Sequence, residues 1–144
     1  MKVYADSSFL LSLYSVDAHS AIAAGVAAKY QPLFLLTPLL EAEFANAIEL
    51  GVFLRRHSTR EARAVRERFL SHVGSGVFLV RELNPQAYEL ARTLSRRHTA
   101  RLGTRSLDVL HVASALLLRP DSFLTFDERQ RRLARAEGLV VQPA

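Results

Sequence analysis

Asp6 closes the short apolar run KVYAD, and Asp127 closes SFLTFD, so each acid falls where a buried strand would leave a sheet. Asp108 stands in the first turn of the apolar stretch SLDVLHVASALLLR, and Glu43 lies within two turns of the start of PLLEAEFANAIELGVFLRR. Carboxylates gathered at one place are a poor arrangement for stability, because like charges about 4 Å apart repel by roughly 1–4 kcal/mol per pair, depending on the local dielectric. A divalent cation reverses that sign, and an all-oxygen donor set suits Mg²⁺ or Mn²⁺. Each acid also has a local explanation. Asp6 before Ser7 and Ser8 fits a helix cap, and Asp127 with Gln130 three residues on fits a capping box. Asp108 near a helix start gains about 0.3–1 kcal/mol from the macrodipole. Glu43 fits a solvated helix face, and Glu41 beside it could serve in its place. Taken singly, none of the four carries a functional claim; their common placement does.

The elements that must position them follow from apolar runs and caps. Strands are expected at KVYAD (2–6), PLFLLT (32–37), GVFLVREL (76–83), DSFLTFD (121–127) and LVVQ (139–142). Between them, helices start at Ser7 or Ser8, and at Asp17 as N-cap of AHSAIAAGVAAKY. Further starts are Thr37 with Pro38 at N1, Ser58 with Glu61 in a capping box, Asn84 with Pro85 at N1, and Ser106. Gly51 is a weak point inside the third helix, and Gly138 stops the last one, ERQRRLARAEG. The strands are apolar throughout rather than alternating. Both features predict an α/β fold, a three-layer α/β/α sandwich around a central, mostly parallel sheet of four to five strands. In such a sheet, sites form outside the carboxyl ends of the strands, where strand order reverses. All four acids can reach that edge.

A length of 144 residues fits one domain, expected over 1–144, and is enough to bury a core without staples. The absence of cysteine excludes disulfides, thiolate metal sites and a cysteine nucleophile. Asp6 interrupts the stretch where a signal peptide would be apolar, and no run approaches the roughly 20 apolar residues of a membrane span. A cytoplasmic protein without a membrane is the expectation. Net charge is +5, and arginine supplies all but two of the 19 basic residues, the exceptions being Lys2 and Lys29. Arginine's planar fork suits phosphate, although a charge this modest is also what an ordinary surface carries.

With these residues in place, ADSSFLLSLY, LLTPLLEAEFANAI and RSLDVLHVASALLLRPDSFLTFDERQRRLARAEGL together resemble the PIN-domain nucleases, most closely the VapC-type toxins of type II toxin–antitoxin pairs. The resemblance runs from Lys2 to Val141 and is strongest from Arg105 to Gln130. It assigns the four acid positions of the family to Asp6, Glu43, Asp108 and Asp127. Glu43 is favoured over Glu41 because the family's glutamate comes six residues after the Thr or Ser that starts its helix, here Thr37. Ser7, Asn46 and Thr125 match supporting positions. What the resemblance implies is a metal-dependent endoribonuclease that uses one or two Mg²⁺ or Mn²⁺ ions, with Asp6, Glu43 and Asp108 as ligands and Asp127 as a ligand or the holder of a metal-bound water. It also implies RNA as substrate, a cognate antitoxin and a homodimer. Arg105 and Arg129 flank the acids in sequence and are the nearest candidates for RNA contacts. His111, three residues after Asp108, is expected to be a hydrogen-bonded, half-buried histidine rather than a catalytic one.

Two other readings remain open at this point. A non-catalytic RNA-binding or scaffold protein on the same fold would be marked by a missing acid, and none is missing. A phosphoaspartate receiver carries a lysine late in the chain, and a phosphatase of the haloacid dehalogenase type needs Asp-x-Asp. Here Lys29 is the last lysine, and Asp6 is followed by Ser7 and Ser8.

Overall fold

The computed structural model describes residues 1–144. Five strands form one sheet: β1 (Lys2–Ala5), β2 (Leu33–Leu36), β3 (Phe78–Val80), β4 (Ser122–Leu124) and β5 (Val141–Gln142). Every pairing is parallel, in the order β3-β2-β1-β4-β5. The three inner strands bury nearly every residue, which is why their sequences read as unbroken apolar runs. β1 lies at the centre, with Tyr4 level with Leu35 on one side and with Phe123 on the other. The chain moves from β1 through β2 to β3, then crosses back to β4 and β5. Strand order therefore reverses at β1.

The helices are α1 (Ser7–Tyr14), α2 (Ser20–Tyr30), α3 (Pro38–Phe53), α4 (Thr59–Gly74), α5 (Gln86–Leu94), α6 (Ala100–Leu102), α7 (Ser106–Leu118) and α8 (Glu128–Ala136). A π-helical segment, Ser95–Thr99, joins α5 to α6. Right-handed crossovers place α1 to α4 on one face of the sheet and α5 to α8 on the other. The packing agrees, since α1 touches α2, α3 and α4, whereas α7 touches α5 and α8. This is the expected sandwich, with five strands and no antiparallel pair. Tyr4, Phe9, Phe44 and Phe123 are fully buried at its centre. Burying side chains of this size contributes about 1.5–3 kcal/mol each. No helix is long and apolar enough to cross a membrane.

Several caps form as expected. Thr37 accepts from the Leu40 amide with Pro38 in the first turn, and Ser58 and Glu61 form both halves of a capping box. Asn84 accepts from the Gln86 amide, but α5 begins one residue later than expected, with Pro85 rather than Asn84 at the cap position. Two further starts differ. Asp17 does not cap α2; its Oδ1 accepts from the amide of His19 and the hydroxyl of Ser20, a local turn that delays the helix to Ser20. Ser106 is the first residue of α7 rather than its cap, because Asp108 reaches back to the amide of Arg105, 2.8 Å away. α1 starts at Ser7 with Asp6 as its cap, as expected. The third strand is also shorter than its apolar run, since β3 is an edge strand and pairs only as far as β2 extends. Gly51 has a specific role inside α3. A Cβ there would lie 2.1 Å from the ring of His57, whose Nε2 donates to the Ile48 carbonyl at 2.7 Å.

Candidate active site

At the carboxyl edge of the sheet, Asp6 follows β1, Thr37 opens α3 after β2, and Thr125 and Asp127 follow β4. α7 runs back toward the start of β4, so its first turn, with Asp108, lies at this same edge. Asp6, Glu43, Asp108 and Asp127 line one cavity of about 560 Å³, together with Ser7, Asn46 and Arg105. Arg129 and Glu41 are exposed and take no part in its wall. A cavity of similar volume, about 580 Å³, is lined by Tyr14, Arg68, His72 and apolar neighbours and holds no carboxylate. Chemistry, not size, singles out the first.

Asp6 is fully buried. Its Oδ1 accepts from the Phe9 amide at 2.9 Å and the Ser8 hydroxyl at 2.6 Å, and its Oδ2 accepts from the Thr125 hydroxyl at 2.5 Å. Burial pushes its pKa up to about 6, against the downward pull of Ser8, Thr125, the Phe9 amide and, most weakly, the charge of His111. Glu43 behaves oppositely. Burial pushes its carboxyl up, but the hydrogen bond and charge of His111, with the Ser7 hydroxyl, outweigh that and hold it below the usual range. Ser7 Oγ donates to Glu43 Oε1, and His111 Nε2 donates to Glu43 Oε2. His111 Nδ1 lies 2.7 Å from the Tyr4 hydroxyl. Both ring nitrogens are therefore engaged, Nε2 by the Glu43 carboxylate and Nδ1 by the Tyr4 hydroxyl, which fixes the orientation of the ring.

Asp108 is buried, with Oδ2 held by the Arg105 amide and Oδ1 3.4 Å from Gln130 Nε2. Asp127 is half-buried and caps α8, its Oδ1 accepting from the amides of Arg129 and Gln130. Capping and convergence are thus not alternatives. The hydrogen bonds that start α1, α7 and α8 also aim three carboxylates at one cavity. Arg105 is the only cationic side chain in the wall, with Nε 3.9 Å from Asp108 Oδ2 and its side chain 65% exposed.

The donor set suits a hard cation in type and sign: four carboxylates face one arginine. One buried atom adds to this. Gln130 Oε1 has no hydrogen-bond partner, though Gln130 is 4% exposed and lines the cavity. A buried amide oxygen without a donor costs about 1–3 kcal/mol, which a cation or an ordered water would offset. As they stand, no three His, Asp or Glu side chains are gathered closely enough to hold a metal ion. The carboxylates are held by hydroxyls and amides and would have to turn toward an ion.

Four participants escaped the sequence reading. Ser8, rather than Ser7, contacts Asp6, while Ser7 serves Glu43. His111 is fully buried, not half-buried, and holds Glu43 from a helix on the opposite layer, with Tyr4 behind it. Gln130 had a signal, three residues after Asp127, but it was absorbed into a capping pattern. Its amide does bond Asp127, while its side chain turns to Asp108.

The PIN domain family model matches residues 3–136. No curated protein matches the sequence. Among solved structures, the chain is similar to VapC20 of Mycobacterium tuberculosis, described as a sarcin-ricin loop cleaving toxin. The two are 22% identical, with a TM-score of 0.70 and 96% of each chain covered. FitAcB from Neisseria gonorrhoeae gives 12% identity and a TM-score of 0.69 over 96% of this chain and 95% of that one. VapBC2 from Rickettsia felis, bound to a DNA fragment from its promoter, gives 12% and 0.65 over 99% and 98%. At these identities the solved structures establish the fold.

Proposed function

The chain belongs to the PIN domain family, and from that premise we propose that it is a metal-dependent endoribonuclease, the toxin of a toxin–antitoxin pair. One observation carries the reading: four carboxylates from both helical layers line one cavity whose wall holds a single, largely exposed arginine. Asp6, Glu43 and Asp108 are the residues to hold one or two Mg²⁺ or Mn²⁺ ions, with Asp127 completing the set. Bound there, such ions supply Lewis acidity and a water that ionises near neutral pH. The chain's own residues do the positioning. Thr125 and Ser8 fix both oxygens of Asp6, the pair of Ser7 and His111 fixes both oxygens of Glu43, and Gln130 supports Asp108. Arg105 at the rim meets the phosphate of the RNA, and Asn46 lines the same wall. Attack by water rather than the ribose 2′-hydroxyl leaves a 5′-phosphate and a 3′-hydroxyl. A small cognate antitoxin completes the reading, supported by the likeness to VapBC2 and FitAcB, and a homodimeric assembly is what the family resemblance adds.

A second reading has one observation in its favour. The carboxylates are engaged internally and no three are gathered for a metal, as in a catalytically silent RNA-binding or scaffold protein. The experiment that separates the two is cleavage of a mixed single-stranded RNA pool with Mg²⁺, Mn²⁺ or EDTA, beside calorimetric titration of Mn²⁺. The nuclease reading expects metal-dependent cleavage that Asp6→Asn and Asp108→Asn both abolish. Absence of both Mn²⁺ binding and cleavage in the wild type leaves the scaffold reading standing.

A further inference from the structure

Beside the acid cavity lies another, of about 550 Å³, between α5 and α7. Its wall includes Tyr88, Arg92, Ser95 and Arg96 from α5 and the π-helical segment, over a floor that includes Val109 of α7. Ser106 lines both cavities, so the two adjoin at the first turn of α7. Their charges are opposite. The acid cavity has four carboxylates, and this one has two arginines and no acid. Neither guanidinium has an ion-pair partner: Arg92 makes no side-chain hydrogen bond, and Arg96 only a long one, 3.4 Å, to the Thr93 hydroxyl. Tyr88, Arg92 and Arg96 are spaced four apart, and Tyr88 is 52% exposed. The helix changes to π geometry at Ser95, a rare distortion that recurs at functional sites.

We propose that this cavity is a nucleotide-binding subsite, holding the single-stranded RNA that flanks the scissile phosphate, with phosphates on Arg92 and Arg96 and a base stacked on Tyr88. The proposal rests on the nuclease reading and adds to it a path for the substrate. Unpaired arginines beside an exposed ring and an apolar floor match a strand that alternates phosphates with flat bases. An acidic peptide would satisfy the arginines, but its carboxylates would be repelled where the path enters the acid cavity. An RNA strand needs only its scissile phosphate there, and its flanking phosphates find cations one cavity away.

The test uses the full chain, a labelled single-stranded RNA of about 12 nucleotides and a trinucleotide substrate. Binding of the longer RNA, read by fluorescence anisotropy in EDTA, should weaken about tenfold in Arg92→Gln/Arg96→Gln. The dependence of log Kd on log salt should become shallower by about 1.4, two single-strand phosphate contacts. Tyr88→Ala should weaken binding about fivefold while Tyr88→Phe retains it, as stacking requires. Trinucleotide cleavage with Mg²⁺ or Mn²⁺ should stay within about twofold in every variant, a limit set by its lack of contact with this cavity. Wild-type affinity and salt slope in the double variant would overturn the subsite while leaving the nuclease intact. A loss of RNA binding that tracks a change in sedimentation would also overturn it, making the surface a protein interface. A wild type that neither binds nor cleaves RNA removes the nuclease reading and the subsite together.

Discussion

Two carboxylates of this protein, Asp6 and Glu137, are shielded from solvent and tied by hydrogen bonds, yet they are treated in opposite ways. Glu137, at the end of α8, is paired with His98 and Arg97. Burial pushes its carboxyl up, but those two partners outweigh burial and hold it below the usual range. Asp6 has only hydroxyls and an amide at hydrogen-bonding distance, and burial wins, lifting it to about 6. The chain carries 19 lysines and arginines against 14 acids, so cations are not scarce. They are placed beside Glu137, whereas the acid cavity with its four carboxylates has Arg105 alone in its wall. A charge cluster built for stability is neutralised internally. One left largely uncompensated at the reversal of strand order is the arrangement that the proposed nuclease reading requires.

That contrast can be broken experimentally. The largest effect expected is on activity. Asp6→Asn should lower metal-dependent RNA cleavage more than about 100-fold, beyond the 10- to 100-fold typical of residues that only support a ligand. A variant that retains a tenth of wild-type kcat would remove Asp6 from the site. The same substitution should have the opposite sign on stability. The Asp6 pKa lies near 6 in the fold against an ordinary value near 3.8, so the metal-free native state binds more protons than the unfolded chain between those pH values. Wild-type stability should therefore be greatest below about pH 4 as far as this group is concerned. It should fall by up to about 3 kcal/mol as pH rises through 6, at 1.36 kcal/mol per pKa unit. Asp6→Asn should abolish that fall, read as urea midpoints across pH 4–8, and a fall of equal size in the variant would assign it to another group.

Glu137→Gln should do the reverse of Asp6→Asn. It removes the shared partner of His98 and Arg97 and should cost about 1.5–3 kcal/mol, the range for hydrogen bonds to charged groups. RNA cleavage at a temperature where the variant remains folded should be unchanged. Loss of activity there would mean that the two regions are coupled. The smallest effect belongs to Arg105→Gln. Its 3.9 Å contact with Asp108 is solvent-screened, so stability should change by less than about 1 kcal/mol. A larger loss in the urea midpoint would show that Arg105 does neutralise the cavity, and the contrast with Glu137 would weaken.

The sheet was legible because its inner strands are apolar on both faces, and Thr37, Ser58 and Glu61 announced their helices by side-chain type and spacing. The same rules misplaced the start of α2, where the Asp17 turn competes with the helix for the same amides. For the cavity, the acids could be read from their places at strand exits. Their partners could not. Glu43 is held by His111 across 68 residues, and Asp6 by Thr125 across 119. Local spacing contains no trace of such pairs, since they arise only when two helical layers close on one edge. Gln130 was visible as half of a local capping pattern, and its second role, facing Asp108 across 22 residues, was not.

The central position of β1 has a consequence for how the protein is made. Its two neighbours are β2, about thirty residues later, and β4, whose Phe123 pairs with Tyr4. At a synthesis rate of roughly 5–20 residues per second, β1 waits about 6–24 s between its own appearance and that of Thr125. Between the addition of Glu43 and that of Asp108 the nascent chain holds two of the four acids but lacks Asp108, Asp127 and half of the cavity wall. Ribosomal products that stop short of β4 are thus missing the Thr125 hydroxyl and the strand that Asp6 depends on. Synthesis through β4 is therefore the step at which the Asp6 carboxylate can first be set in place.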